Sequence, residues 1–204
     1  MWVQLDFKNV DKTRTHIQRS KSSPLEIQSR GDDAFTLAIP HIHRLKSLTH
    51  DSYALPNVLK TFHHHTPLLE KLDIHISTGK SILNDALLSK DLSSPRYLRL
   101  NGITPRFPCT NLANLRVVDL KTHWHEYGTT QILDFFKSAP FLHTVSLQYS
   151  MPHLSDAPPG RIVAIRHLKA LTIDSNPPHS IIFTFPQEFC SFCSSSLAVG
   201  IAGF

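Results

Sequence analysis

Histidine is the residue of this chain whose number and spacing could most readily support chemistry. Its 14 copies include the run His63–His65 and the pairs His41-x-His43 and His123-x-His125. Structural zinc takes four nitrogen or sulfur ligands in a tetrahedron, but consecutive residues at the end of a predicted helix point in different directions. We therefore predict no metal site and no cofactor. A metal-binding or enzymatic protein that uses these His-rich loops is the alternative.

The three cysteines are a second candidate for metal or redox chemistry. Cys190-x-x-Cys193 has the spacing of half a zinc site or of a redox pair, but the sequence has no second pair at a matching distance. Cys109 stands alone in a proline-rich loop. We interpret all three as structural thiols in a reducing compartment, the cytoplasm or the nucleus.

The sequence lacks the short motifs that position a nucleophile, a phosphate or a catalytic metal. It contains no G-x-S-x-G, no G-x-x-x-x-G-K-S/T, no G-x-G-x-x-G and no H-E-x-x-H. The carboxylates of Asp6 and Asp32-Asp33 are isolated and typical of turns or caps. We therefore predict that the protein is not an enzyme.

Charge and hydropathy argue against two classes of partner. The 21 basic and 16 acidic residues give a net charge of +5, and this surplus is diluted over 204 residues. Nucleic-acid binding needs a clustered basic stripe, so we expect no nucleic-acid partner. No apolar run approaches the ~20 residues that span a bilayer. Residues 1–20 are polar and charged, so we expect neither a membrane segment nor a signal peptide.

The scaffold for these side chains is indicated by a recurring aliphatic phrase, Leu-x-x-Leu-x-Leu or a close variant. Its middle residues are Leu48, Leu72, Leu98, Val118, Val145 and Leu171, spaced by 24, 26, 20, 27 and 26 residues. A period in the twenties is typical of leucine-rich repeats, which stack into a solenoid. A helical or mixed domain rich in leucine is the simpler alternative, and the constant phase of the phrase argues against it.

Each phrase predicts a short strand whose side chains alternate between two faces. The predicted inward residues are Leu72, Ile74, Leu98, Leu100, Val118, Leu120, Val145, Leu147, Leu171 and Ile173. Apolar residues at helical spacing predict helices at residues 10–19, 54–64, 81–90 and 129–138. Ser81 is a candidate N-cap, and residues 102–110 are too short and too rich in proline for a helix. The last of these helices should end before Pro140.

The two ends of the repeat array depart from the phrase. Residues 24–27 and 181–185 look like a first and a last strand. We predict one irregular leucine-rich-repeat domain at residues 1–185. Residues 186–204 form a tail of uncertain status, since they lack both the phrase and the polar cap that a solenoid end needs.

The outward positions of the stacked strands form a polar grid, which is the candidate binding site. Tyrosine and arginine, both present in its centre, are over-represented among interface hot spots. The predicted partner-binding residues are Lys71, Asp73, Tyr97, Arg99, Asp119, Lys121, Ser146 and Gln148. A solvated polar sheet face would show the same pattern. The sequence predicts that the grid binds a protein, but it does not identify that protein.

The chain also resembles a known family. Residues 19–27, with Trp2 and Val10 before them, are similar to the segment that follows the F-box in many fungal F-box/leucine-rich-repeat proteins. Residues 43–48, 66–74 and 111–115 resemble the irregular repeats of those proteins, and the similarity covers roughly residues 2–180. The resemblance implies repeats that recruit a protein substrate to a ubiquitin ligase. Docking to the ligase adaptor is doubtful, because no F-box precedes Trp2.

Together these observations predict an α/β leucine-rich-repeat solenoid of six or seven irregular repeats. A parallel sheet would form the concave face, with helices or loops on the convex face. The predicted function is non-enzymatic protein–protein recognition, resembling the substrate-binding repeat region of an F-box ubiquitin-ligase receptor. Besides the metal-binding or enzymatic alternative, a non-functional truncated member of that family also fits the sequence.

Overall fold

Strands of this chain are separated by segments long enough to return the chain to the same edge of a sheet, as parallel pairing requires. A computed structural model shows this arrangement. It describes residues 3–6, 10–30, 36–53, 66–77, 81–82, 95–104, 112–121, 129–148, 162–174, 180–184 and 197–200. The helix predicted at 54–64 and most of the segments predicted at 81–90 and 102–110 lie outside these residues.

The described residues form strands, two α-helices and one 3₁₀ helix. The strands are β1 (Val3–Asp6), β2 (Leu25–Arg30), β3 (Leu45–Ser52), β4 (Lys71–Ile76), β5 (Ser81–Ile82), β6 (Tyr97–Asn101), β7 (Ile103–Thr104), β8 (Val117–Lys121), β9 (Thr144–Gln148), β10 (Ile162–Ile165), β11 (Ala170–Asp174), β12 (Ser180–Thr184) and β13 (Leu197–Gly200). The helices are α1 (Val10–Arg19), α2 (Thr129–Ser138) and the 3₁₀ helix Ile39–Arg44. None of the helices in these ranges is long and apolar enough to cross a membrane.

The main sheet runs in the order β1-β2-β3-β4-β6-β8-β9-β11-β12 among the described residues. Every neighbouring pair from β1 to β11 is parallel, whereas β12 joins β11 in the antiparallel sense. Two short pairs stand apart from it, β5 with β7 in parallel and β10 with β13 antiparallel. The predicted α/β class with a parallel sheet is therefore confirmed.

The register of the sheet aligns the aliphatic phrase from strand to strand. Leu48 pairs with Leu72, Leu72 with Leu98, and Leu98 with Val118. The alignment continues through Val145 to Leu171. Nine of the ten predicted inward residues are buried. The side chain of the tenth, Ile173, is outside the part of the chain whose burial the structure describes. Burial of this continuous aliphatic layer, at about 25 cal/mol per Å² of apolar surface, is the main force that holds the strands together.

Both predicted helices at 10–19 and 129–138 are present with those bounds. The apolar face of α2 is buried through Ile132, Leu133, Phe135 and Phe136. Its last residue, Ser138, donates a hydrogen bond from Oγ to the Phe135 carbonyl at 2.7 Å. The helix thus ends before Pro140, as predicted, because a proline disfavours helical backbone at the residue before it.

The buried side chain of Arg44, the last residue of the 3₁₀ helix, contacts the turn that follows α1. Its Nη2 donates to Ser20 Oγ and to the Ser23 carbonyl, both at 2.6 Å, and its Nε donates to the same carbonyl at 3.0 Å. Burial lowers the pKa of Arg44 from its usual value. Charged hydrogen bonds to buried groups are stronger than neutral ones, so this contact fixes the turn between α1 and β2.

The structure corrects one feature of the sequence-based prediction and adds two features to it. Ser81 does not cap a helix, because it lies in β5 and pairs with Ile103. The strand predicted at 181–185 exists as β12 but reverses the direction of the sheet. Part of the 186–204 segment, Leu197–Gly200, forms β13 against β10. The pairing of β13 depends on a partner distant in the sequence, whereas β12 pairs with the strand just before it. Periodicity within a strand specifies neither its partner nor the direction of the pairing.

Candidate functional site

The alternation that buries the aliphatic residues places polar residues on the opposite face of the main sheet, hereafter the polar face. All eight predicted partner-binding residues lie there, on the four adjacent strands β4, β6, β8 and β9. The register arranges the face in three rows across the strands. The rows are Lys71–Tyr97–Val117–Thr144, Asp73–Arg99–Asp119–Ser146 and His75–Asn101–Lys121–Gln148.

An ion pair occupies the centre of the polar face. Arg99 Nε lies 3.0 Å from Asp119 Oδ2, with the two side chains 41% and 18% exposed. The second oxygen, Oδ1 of Asp119, is buried and has no hydrogen-bond partner in the part of the chain that the structure describes. A buried acceptor without a donor costs free energy.

Asp73 lies on the other side of Arg99 in the same row. Burial raises the pKa of Asp73, and the nearby Asp119 carboxylate raises it further. Arg99 and Lys71 act in the opposite direction but do not reverse the pKa shift. Asp73, Arg99 and Asp119 therefore alternate negative, positive and negative charge along the row. Because burial disfavours the charged form of Asp73, its ionised carboxylate lowers the stability of the folded state.

We expect Asp73→Asn to stabilise the protein at about pH 7 and to lose this advantage as the pH falls towards about 4. The folded-state pKa is raised, so the wild-type carboxylate lowers stability once the pH rises above its unfolded pKa. Urea unfolding of both proteins across this pH range measures the difference. The matched control is Asp11→Asn on α1, whose side chain is exposed. An advantage for Asp73→Asn that grows towards acid pH would contradict the prediction.

Tyr97 and Lys71 form the neighbouring part of the face. Lys71 Nζ lies 5.3 Å from the centroid of the Tyr97 ring, within the range of a cation–π interaction. Burial raises the pKa of Tyr97, and Asp73 and Asp119 raise it further, while Arg99 opposes them. The hydroxyl is therefore protonated near neutral pH and can donate a hydrogen bond.

A contact between Asp51 and His75 extends the polar face to β3. The distance from His75 Nδ1 to Asp51 Oδ1 is 3.3 Å, and both side chains are about half exposed. Asp51 is absent from the predicted site residues. The alternation from Leu48 through outward Thr49 would have placed it on this face.

A buried contact on the neighbouring strands bears on the enzymatic alternative. Ser29 Oγ lies 2.6 Å from His50 Nδ1, the distance at which a nucleophile meets its base. Both side chains are buried, however, so a substrate has no access to the hydroxyl. We interpret the pair as a hydrogen bond that satisfies two polar groups between β2 and β3.

The closely spaced histidines and cysteines of the sequence are only partly described. His41 and His43 lie on the 3₁₀ helix, where burial and then Arg44 lower the pKa of His41. Within the described ranges, no group of three His, Cys, Asp or Glu residues is placed to hold a metal ion. The run His63–His65, the pair His123-x-His125 and all three cysteines lie outside those ranges.

Comparison with known proteins does not add to this geometry. No family model matches the chain, and neither a curated protein nor a solved structure does. The polar face offers donors, acceptors and both signs of charge on a sheet whose opposite face is buried.

Proposed function

We propose that this chain is a leucine-rich-repeat module that binds a partner protein on the polar face of its sheet. The observation that carries the proposal is the central group of Tyr97, Arg99 and Asp119. These three residues adjoin on β6 and β8, and Arg99 and Asp119 form a partly exposed ion pair. Aromatic and arginine side chains in a partly desolvated centre are typical of binding hot spots.

Two observations support the leucine-rich-repeat assignment. The aliphatic phrase recurs every 20 to 27 residues, and each recurrence supplies one strand of a parallel ladder with matched register. In such a solenoid the strands line the concave surface, where partners bind. The polar face would then be that concave surface.

We further propose that the partner is a substrate protein recruited to a ubiquitin ligase in the cytoplasm or nucleus. The support is the resemblance of residues 2–180 to the segment that follows the F-box in fungal F-box/leucine-rich-repeat proteins. The chain would act as the substrate-binding half of such a receptor. Affinity capture from a fungal extract with the purified chain, followed by mass spectrometry, tests this part of the proposal. Ligase components or ubiquitinated proteins among the captured proteins would support it.

The double substitution Tyr97→Ala with Arg99→Ala should abolish capture of the specific partner. Each hot-spot truncation costs about 2 kcal/mol or more of binding free energy, so affinity should fall at least about thirtyfold. The control is Tyr53→Ala with Arg14→Ala, which removes the same residue types from sites where the side chains are exposed. If the variant Tyr97→Ala with Arg99→Ala still captures every protein that the wild type captures, the polar face is not the binding site.

A further inference from the structure

A row of mostly basic residues crosses the main sheet at the N-terminal ends of its strands, just before the polar face begins. Backbone hydrogen bonds stack its members side by side. The N–H of Arg116 donates to the Arg96 carbonyl at 2.9 Å, that of His143 to Arg116 at 2.8 Å, and that of Lys169 to His143 at 2.7 Å. Glu70 and Lys46 continue the same pattern beyond Arg96. These six residues are called the basic row.

The basic row carries positive charge that the described residues do not neutralise. Its one acidic member is Glu70, whose Oε2 lies 3.6 Å from Lys46 Nζ. Among the described residues no carboxylate forms an ion pair with Arg96, Arg116 or Lys169, and these three are exposed. The pKa of His143 is lowered by burial and then by Lys169 and Arg116, as expected in a positive field.

A partly exposed apolar side chain lies near each end of the row. At one end a groove of about 400 Å³ is lined by Pro24, Lys46, Pro67, Leu68, Glu70, Arg96 and Asn114. Leu68 in this groove is 45% exposed. At the other end Phe141 is 49% exposed, and its ring centroid lies 5.4 Å from that of His167. The row of positive charge thus has one partly exposed apolar side chain near each end.

We propose that the basic row and its groove bind an extended acidic segment of a partner protein, with one apolar residue of that segment in the groove. Adjacent strands are about 4.8 Å apart, so the three steps from Arg96 to Lys169 span about 14 Å. Side chains on one side of an extended peptide recur every ~6.8 Å, so carboxylates at positions i, i+2 and i+4 also span about 14 Å. The charge and the length of the row thus match such a segment.

A nucleic acid fits the row less well than an acidic peptide does. A phosphate backbone needs a longer run of cations to bind, and the described row has only three uncompensated Lys or Arg residues beside a histidine of lowered pKa. The groove with Leu68 also suits an aliphatic side chain. The basic row is a separate surface from the polar face, so this inference does not depend on the proposed function.

The test is the binding of a fluorescent peptide, LSESESE, to the full chain, measured by anisotropy beside its glutamine counterpart LSQSQSQ. The acidic peptide should bind more tightly, and binding should weaken with ionic strength because the charges are exposed. Arg96→Glu with Arg116→Glu should weaken binding at least about tenfold, since two attractions become repulsions. Arg14→Glu with Arg19→Glu on α1 is the matched control and should leave binding unchanged.

Three results would overturn the inference: equal binding of the glutamine peptide, equal loss in the α1 control, or oligouridylate that binds more tightly and displaces the peptide. Should the double charge reversal fail to fold, Lys169→Glu alone makes the same test at the other end of the row. The variant Tyr97→Ala with Arg99→Ala should retain peptide binding. Loss of partner capture by this variant would therefore test the polar face alone and would not bear on the inference about the basic row.

Discussion

Leu72→Ala should lower the free energy of unfolding by about 2–5 kcal/mol, a large share of the 5–15 kcal/mol that stabilises a typical domain. Leu72 is 1% exposed and lies between Leu48 and Leu98 in the aligned aliphatic layer. Truncation removes buried apolar surface and leaves a cavity that strands held on both sides cannot close. Urea unfolding followed by circular dichroism measures the loss.

Leu68→Ala is the matched control for this substitution. The two leucines are four residues apart, but Leu68 is 45% exposed, so its truncation should cost well under half as much. The slope of unfolding free energy against urea should stay the same in both variants, since neither changes the surface exposed on unfolding. Equal losses in the two variants would mean that the aliphatic ladder is not the core of the protein.

Gly102→Ala should destabilise the protein by about 2 kcal/mol or more, through the backbone and without loss of any side-chain contact. Gly102 follows β6 with a φ of 73°, in the left-handed region that other residues avoid. A Cβ at this position would lie 2.5 Å from the carbonyl oxygen of Ile76, at the end of β4. The Gly102 N–H also donates to the Lys121 carbonyl at 2.9 Å, so the backbone cannot move away without losing that bond.

Gly102→Asn separates the two causes of this strain. Asparagine tolerates the left-handed region better than alanine does, but it carries the same Cβ. If contact with the Ile76 carbonyl dominates, both variants should unfold at similarly reduced urea concentrations. A stable asparagine variant beside an unstable alanine variant would assign the strain to φ alone. Asn101→Ala, one residue earlier, should have little effect and serves as the control.

Local patterns are sufficient to predict the strands that build the main sheet from β3 to β11. Alternation with a period of two identifies which side chains are buried, because it depends only on the geometry of an extended backbone. The position of the aliphatic residues within each phrase then predicts the register, since any slip by one residue would turn Leu98 or Val118 towards solvent. The helix at Thr129–Ser138 is predicted with its bounds, because helical spacing and Pro140 both act locally.

The same patterns explain why the sequence suffices to name the eight candidate site residues. They are the other half of the alternation, so the aligned strands bring them together without further information. Whether a partner binds them stays a prediction. Two features depend on side-chain rotamers, which sequence spacing does not determine. They are the ion pair of Arg99 with Asp119 and the lack of a donor to Asp119 Oδ1 among the described residues.

The sequence by itself thus determined the parallel ladder, its buried layer and its polar face, because these follow from short-range periodicity. Only the tertiary structure decided the reversal at β12, the pairing of β13 with β10, and the strand at Ser81. It also decided the basic row, whose members other than Lys46 immediately precede their strands and fall outside the alternation that orients strand residues. The physical reason is that backbone pairing between strands selects one arrangement among several that the local sequence permits. The pairs β5–β7 and β10–β13 join segments distant in the sequence, while β12 pairs with the strand just before it.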